Sequence, residues 1–151
     1  MRMEELEVVC QEAARNMVAR QSRPLPPTVV LPLPEATQVA VLQGFPDDDA
    51  ARFDFLSRFA AERMVPANAS CYGFVAEASL EADGALDVIV VAYGARRQRP
   101  RVTAAPLSES GLAPFGESEE LDPTALPFLS PLQHAADSAR PPDSDAGLSL
   151  I

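Results

Sequence analysis

Lysine and tryptophan are absent from this chain, histidine occurs once, and the two cysteines lie far apart in the sequence. Each scarcity argues against a kind of chemistry. A metal centre wants several His, Cys or carboxylate ligands close together. Here His134 stands alone in a proline-rich segment, and Cys10 and Cys71 show no ligand spacing. No metal or organic cofactor is expected. A Cys71–His134 nucleophile and base would need the sole histidine to leave that segment. Neither GxGxxG nor GxxxxGK[ST] occurs. Gly44 precedes a strong helix, but Asp47, Asp48 and Asp49 follow it and their charge repels phosphate. The same three aspartates could attract a divalent cation, yet they read better as a helix start. No apolar run approaches the ~18 residues of a membrane helix. "MRMEELEVVCQE" is charged where a secretory leader would be apolar. The expectation is a cytoplasmic protein with reduced thiols, or a virion-associated one if the chain is of phage origin.

Apolar residues are plentiful at 47% of 151, enough for one domain with a real core. All twelve basic residues are arginine, and the formal net charge is -10. The charge is unevenly spread. Residues 1–108 hold 14 acids against 11 arginines, whereas residues 109–151 hold eight acids and only Arg140. An acidic balance of this kind disfavours non-specific nucleic-acid binding.

Hydrophobic periodicity divides the first 108 residues into elements. Leu6, Val9, Cys10, Ala13 and Met17 recur at helical spacing over 3–20, and "RPLPP" ends that helix. "TVVLPLP" at 28–34 reads as an edge strand, because Pro32 lacks a ladder donor. "ATQVAVLQGF" at 36–45 reads as its hairpin partner, with Val39 and Val41 on one face and Ala40 and Leu42 on the other. Residues 46–64 form the clearest helix, capped by Asp47 or Asp48 and lined by Phe55, Leu56, Phe59 and Ala60. Strands at 71–80, 86–93 and 101–107 complete a meander, its first turn at Asp83–Gly84. Pro106 places the last strand at or near an edge.

The fold class predicted is α+β: a small antiparallel sheet in the order α-β-β-α-β-β-β with helices packed on one face. Phe55, Leu56, Phe59, Phe74, Ile89 and Val91 are the expected core. The organisation predicted is an N-terminal amphipathic helix over 1–22, a core domain over 28–108, and an extended or disordered acidic C-terminal arm over 109–151.

Two features invite a functional reading. The first is "YGARRQRPR" at 93–101, which places Arg96, Arg97, Arg99 and Arg101 at a hairpin tip. Nucleic-acid binding usually adds a wider basic face and stacking aromatics; only Tyr93 is near. These arginines are better suited to an acidic partner or to the chain's own "GESEELD" at 116–122. The second is the arm, whose Leu112, Phe115, Leu126, Phe128 and Leu129 are large apolar anchors in a polar tether. They predict docking, on the chain's own domain or on a neighbour. Glu77 and Asp87 could serve as a catalytic carboxylate pair, but a two-residue turn at Asp83–Gly84 would set them on opposite faces. The sequence therefore predicts a non-catalytic interaction or structural accessory subunit of a bacterial or phage assembly, docking through its arm on a protein partner or neighbouring subunits. The alternatives are a regulator of a nucleic-acid machine acting through the arginine loop and, less favoured, an enzyme using the sheet carboxylates.

Overall fold

The fold, taken from a computed structural model, is described for residues 1–82 and 84–141, with the side chains of 81–85 outside that description. Helix α1 (Met3–Arg20) buries Leu6, Cys10, Ala14 and Met17 along one stripe. Its first turn is closed by the Arg2 N–H donating to Glu5 Oε1 at 3.2 Å. Strands β1 (Thr28–Pro32) and β2 (Thr37–Val41) form the expected hairpin, with Thr28 opposite Val41 and Pro32 opposite Thr37. Asp48 caps α2 (Asp49–Phe59), accepting from Ala51 N–H at 2.9 Å. The helix runs on through a π-helical turn at Ala60–Met64 and the short α3 (Val65–Ala67), and stops at Asn68 with a left-handed φ of 53°.

The long strands β3 (Cys71–Ala82) and β4 (Gly84–Ala95) pair antiparallel, followed by β5 (Arg101–Ser108). Two short strands, β6 (Gly111–Leu112) and β7 (Glu119–Glu120), both pair with β5. A 3-10 turn at Pro127–Leu129 then leads into α4 (Ser130–Ser138). The sheet is antiparallel in the order β2-β1-β3-β4-β5-β6, so the architecture is α+β.

The helices do not share one face of this sheet, as the sequence suggested; they cover both. Leu6, Cys10 and Met17 of α1 pack with Val30, Val75, Ile89, Val91 and Tyr93. Leu56 and Phe59 of α2 pack with Val29, Leu31, Tyr72, Phe74 and Ala92 on the opposite side. Adjacent strand residues point to opposite faces, and strands apolar on both faces supply two cores. Of the residues expected in the core, Ile89 and Val91 therefore belong to the α1 side. Phe55 is only partly buried, against the α2 core.

Strand β1 is interior, not an edge. It pairs with β3 over Thr28–Val30 on its other side. The bonds Leu33 N–H to Ala36 O and Leu42 N–H to Pro27 O show that odd-numbered residues of β1 face β2. The missing donor of Pro32 thus points to the β3 side, beyond the last β3 pairing. Pro106 is accommodated in a similar way: its carbonyl accepts from Ala113 N–H at 2.9 Å, so its missing donor also faces away from β4.

The Asp83–Gly84 turn involves residue 83, which lies outside the described residues. Around it Ala82 pairs with Gly84, which puts Ser79 opposite Asp87. That register is one residue off a two-residue turn, and it moves Asp87 to the same face as Glu77.

The arm is not extended throughout. In α4 the residues Leu132, Ala135 and Ala136 are buried at helical spacing, and a proline stands in the first turn, where its missing N–H costs nothing. Residues 142–151 of the predicted arm lie outside the described residues.

Candidate functional site

Glu77 and Asp87 converge on one cation. Arg23 Nη2 reaches Glu77 Oε2 at 2.8 Å and Asp87 Oδ2 at 2.6 Å, and its Nε donates to Glu77 Oε2 at 3.2 Å. Glu77 Oε1 also accepts from Leu25 N–H at 3.1 Å. Ser79 Oγ donates to Asp87 Oδ1 at 2.9 Å. Asp87 is held below its ordinary value first by the Ser79 hydroxyl and then by Arg23. The geometry describes a clasp that ties the α1–β1 connection to the sheet.

The arginine loop meets the chain's own acidic segment. Arg99 Nη1 lies 3.6 Å from Glu120 Oε1, with both side chains largely exposed. Arg101 donates to the Ser118 carbonyl at 2.8 Å and to Ser118 Oγ at 3.2 Å, and pairs in register with Glu120. Arg97, at a left-handed φ of 60°, donates its backbone N–H to Asp137 Oδ1 of α4 at 2.7 Å. Arg96 donates its backbone N–H to Ser70 O at 2.8 Å, and its Nε is buried without a hydrogen-bond partner among the described residues.

The five anchors also lie on the chain's own domain. Leu112 and Phe115 pack against the α1 core, with the Arg15 guanidinium 5.4 Å from the Phe115 ring. Phe128 and Leu129 are buried in the α2 core, with Leu126 beside them. Polar contacts fix the arm further. Gln133 donates to Ala95 O at 2.9 Å and accepts from the Tyr72 hydroxyl at 2.9 Å. Asn68 exchanges bonds with the Arg140 backbone at 2.8 and 3.2 Å. Of the two docking places that the sequence left open, own domain or neighbour, the described arm occupies the first.

Cys10 and Cys71 are free and buried in the α1 core. Burial, and secondarily the neighbouring Cys71, pushes the Cys10 thiol up to about 12; burial raises Cys71 as well. His134 sits exposed on α4, across the sheet from Cys71, so the two do not meet. Asp47, Asp48 and Asp49 begin α2 as a cap and first turn. Among the described residues no group of three or more His, Cys, Asp or Glu is disposed to hold a metal ion.

What remains is a surface that sequence reasoning missed. The outer edge of β5 is covered by the chain itself: Gly116 N–H donates to Ala104 O at 3.0 Å, and Leu121 N–H to Pro100 O at 2.9 Å. The opposite edge of the sheet, β2, pairs only with β1 among the described residues. Thr37–Val41 carries no charge and no proline, the usual guards of an open edge. Val39 is 50% exposed there. Beside it runs a groove of about 520 Å³ lined by Val8, Val9, Ala13 and Met17 of α1 and by Thr37 and Val39 of β2. Val8 is 56% exposed and falls off the buried stripe of its helix; that misplacement was the one sequence signal for this groove. A second apolar cleft, lined by Phe53, Ala61, Val65, Pro131 and His134, runs along the surface where α4 packs on α2 and its π-helical continuation.

No family model, curated protein or solved structure matches the chain.

Proposed function

We propose that this protein is a non-catalytic interaction or structural accessory subunit whose contact surface is the open edge of β2 with the adjoining α1 groove. One observation carries the reading: among the described residues, the chain covers one edge of its sheet with its own arm and puts nothing on the other, a strand without charge beside the exposed valines Val8 and Val39. Unpaired N–H and C=O groups in a row are a template for another strand. Docking through the arm, which the sequence predicts, is narrowed by the anchors: to reach a partner, Phe128 and Leu129 would have to leave a core in which they are buried. The arginine loop offers a nucleic acid little, since Glu120 and Asp137 stand beside it.

The test compares three tagged full-length chains purified from the native host: the parent, Val39→Lys, and the triple change of Arg96, Arg97 and Arg99 to Ser. The expected result is a stoichiometric companion, another protein or an untagged copy of the chain, that is retained by the parent and the arginine variant and lost from Val39→Lys. A companion indifferent to Val39→Lys, or lost only with the arginines, would sink the reading.

A further inference from the structure

We infer that the occupant of the β2 edge is a second copy of this chain, paired antiparallel about a two-fold axis through Val39. The inference rests on the proposed role of that edge and goes on to name the partner.

Three observations fit self-pairing. The first is hydrogen-bond parity. In the β1–β2 hairpin, Leu42 N–H and Ala36 O bond inward to Pro27 O and Leu33 N–H. Even-numbered residues of β2 therefore spend their backbone groups on β1, and Thr37, Val39 and Val41 present theirs outward. A two-fold axis at Val39 sets Val39 opposite its own copy and Thr37 opposite Val41. All of these are outward-facing residues, so the Val39–Val39 pair and both Thr37–Val41 pairs can exchange hydrogen bonds in that register. A register shifted by one residue would lose this match.

The second is side-chain fit. Val39 shares the α1 face with Val30, its partner on β1. Two-fold pairing brings both copies of the half-exposed Val39 together on that face, near the exposed Val8 of each α1. Antiparallel neighbours of this kind stabilise a sheet by packing.

The third is charge. The same register places Glu35 opposite Gln43, so no like charges meet along the strand. Glu12, which also lies 3.8 Å from Arg15 Nη1 in an exposed pair, and Arg20 both line the groove. They stand roughly 12 Å apart along α1 at 1.5 Å per residue. Arg20 has no ion-pair partner among the described residues. A two-fold axis across the sheet runs the two α1 helices in opposite directions, which turns the Glu12 end of one copy toward the Arg20 end of the other. The groove is thus complementary to itself in charge.

The experiment uses the full chain. Sedimentation equilibrium should show a monomer–dimer equilibrium. Val39→Pro removes an N–H that β1 does not use, and prolines are tolerated on edge strands; Val39→Lys leaves the backbone intact and adds a guarding charge. Both should weaken the dimer roughly tenfold or more, with circular dichroism confirming that the lysine variant is folded. Val39→Cys should form an intermolecular disulfide under mild oxidation, since a hydrogen-bonded antiparallel pair sets its Cα atoms about 5.5 Å apart, within disulfide reach. Thr37→Cys should not, because its own copy lies four residues away along the partner strand. A chain that stays monomeric into the hundreds of micromolar, a dimer that both Val39 variants leave unchanged, or equal cross-linking at 37 and 39 would overturn the inference. A monomeric chain that still loses a different companion with Val39→Lys would refute self-pairing while leaving the edge as the contact surface.

Discussion

Replacing Phe128 with alanine tests whether the arm is part of the fold or a tether. Phe128 is 3% exposed, although it lies in a segment whose composition reads as disordered. Its ring centroid lies 5.7 Å from that of Phe74 and 5.9 Å from that of Phe45, both edge-on, with the Arg52 guanidinium 5.3 Å away. Deleting a buried phenylalanine removes its transfer free energy and leaves a cavity, together about 3–5 kcal/mol. The edge-on ring pairs are part of that loss, at about 0.5–1.5 kcal/mol each. A domain of this size has roughly 5–15 kcal/mol of stability in total. With a urea slope of about 2 kcal/mol per molar, the midpoint should fall by roughly 2 M. Phe115→Ala is the control: partly buried at the other end of the arm, it should cost about 1–2 kcal/mol. Equilibrium urea unfolding followed by far-ultraviolet circular dichroism makes the measurement. If Phe128→Ala shifts stability by less than about 1 kcal/mol at an unchanged slope, the arm is a dispensable tether and the packing argument fails.

Three further outcomes follow from the electrostatics. Asp87 is held below its ordinary 3.8 by Ser79 and Arg23, so its contribution is present above the unfolded carboxylate value and is lost as pH falls through the folded one; Asp87→Asn should flatten the acid limb of stability against pH, and an unchanged limb would remove the clasp from the account. Cys10 is shifted the other way, from 9.0 to about 12, so its burial stabilises fully below pH 9 and that stability is lost progressively toward pH 12; iodoacetamide at pH 8 should label Cys10 slowly in the native chain and fast in urea, as read by intact mass, and fast native labelling would contradict its burial. Changing Arg97 and Arg99 to Ser should move stability by no more than about 1 kcal/mol, because both side chains are exposed and the Arg99–Glu120 pair lies at the surface; fluorescence anisotropy with labelled duplex DNA should find no binding that the change abolishes, whereas a steep salt-dependent affinity lost in the variant would restore the nucleic-acid reading.

Much of the secondary structure was legible because local signals carry it. The Asp48 cap, the Leu56–Phe59–Ala60 stripe, the β1–β2 hairpin and the three-stranded meander all follow from patterns within a few residues. Helix α4 was not legible, because proline and serine around Pro131 outweighed a short run of apolar positions. Its burial against α2 and the 3-10 turn supplies what its propensity does not. The candidate surface was half legible: strand periodicity groups Val39 with Val41 on one face, but nothing in the sequence says that β2 has no outer neighbour among the described residues.

Sequence alone determined the periods, caps and turn residues, since each is set by the backbone geometry of neighbouring positions. It also contains the arm's large apolar side chains and the acidic residues near its start, whose placement only the fold supplies. Tertiary structure decided everything that depends on distant segments meeting: that two helical layers share the two faces of one sheet, that a one-residue register brings Glu77 and Asp87 onto Arg23, and that the arm closes the β5 edge while β2 has no outer neighbour among the described residues. A strand carries its hydrogen-bonding groups whatever lies beside it, and only the assembled sheet determines which of those groups remain unpaired.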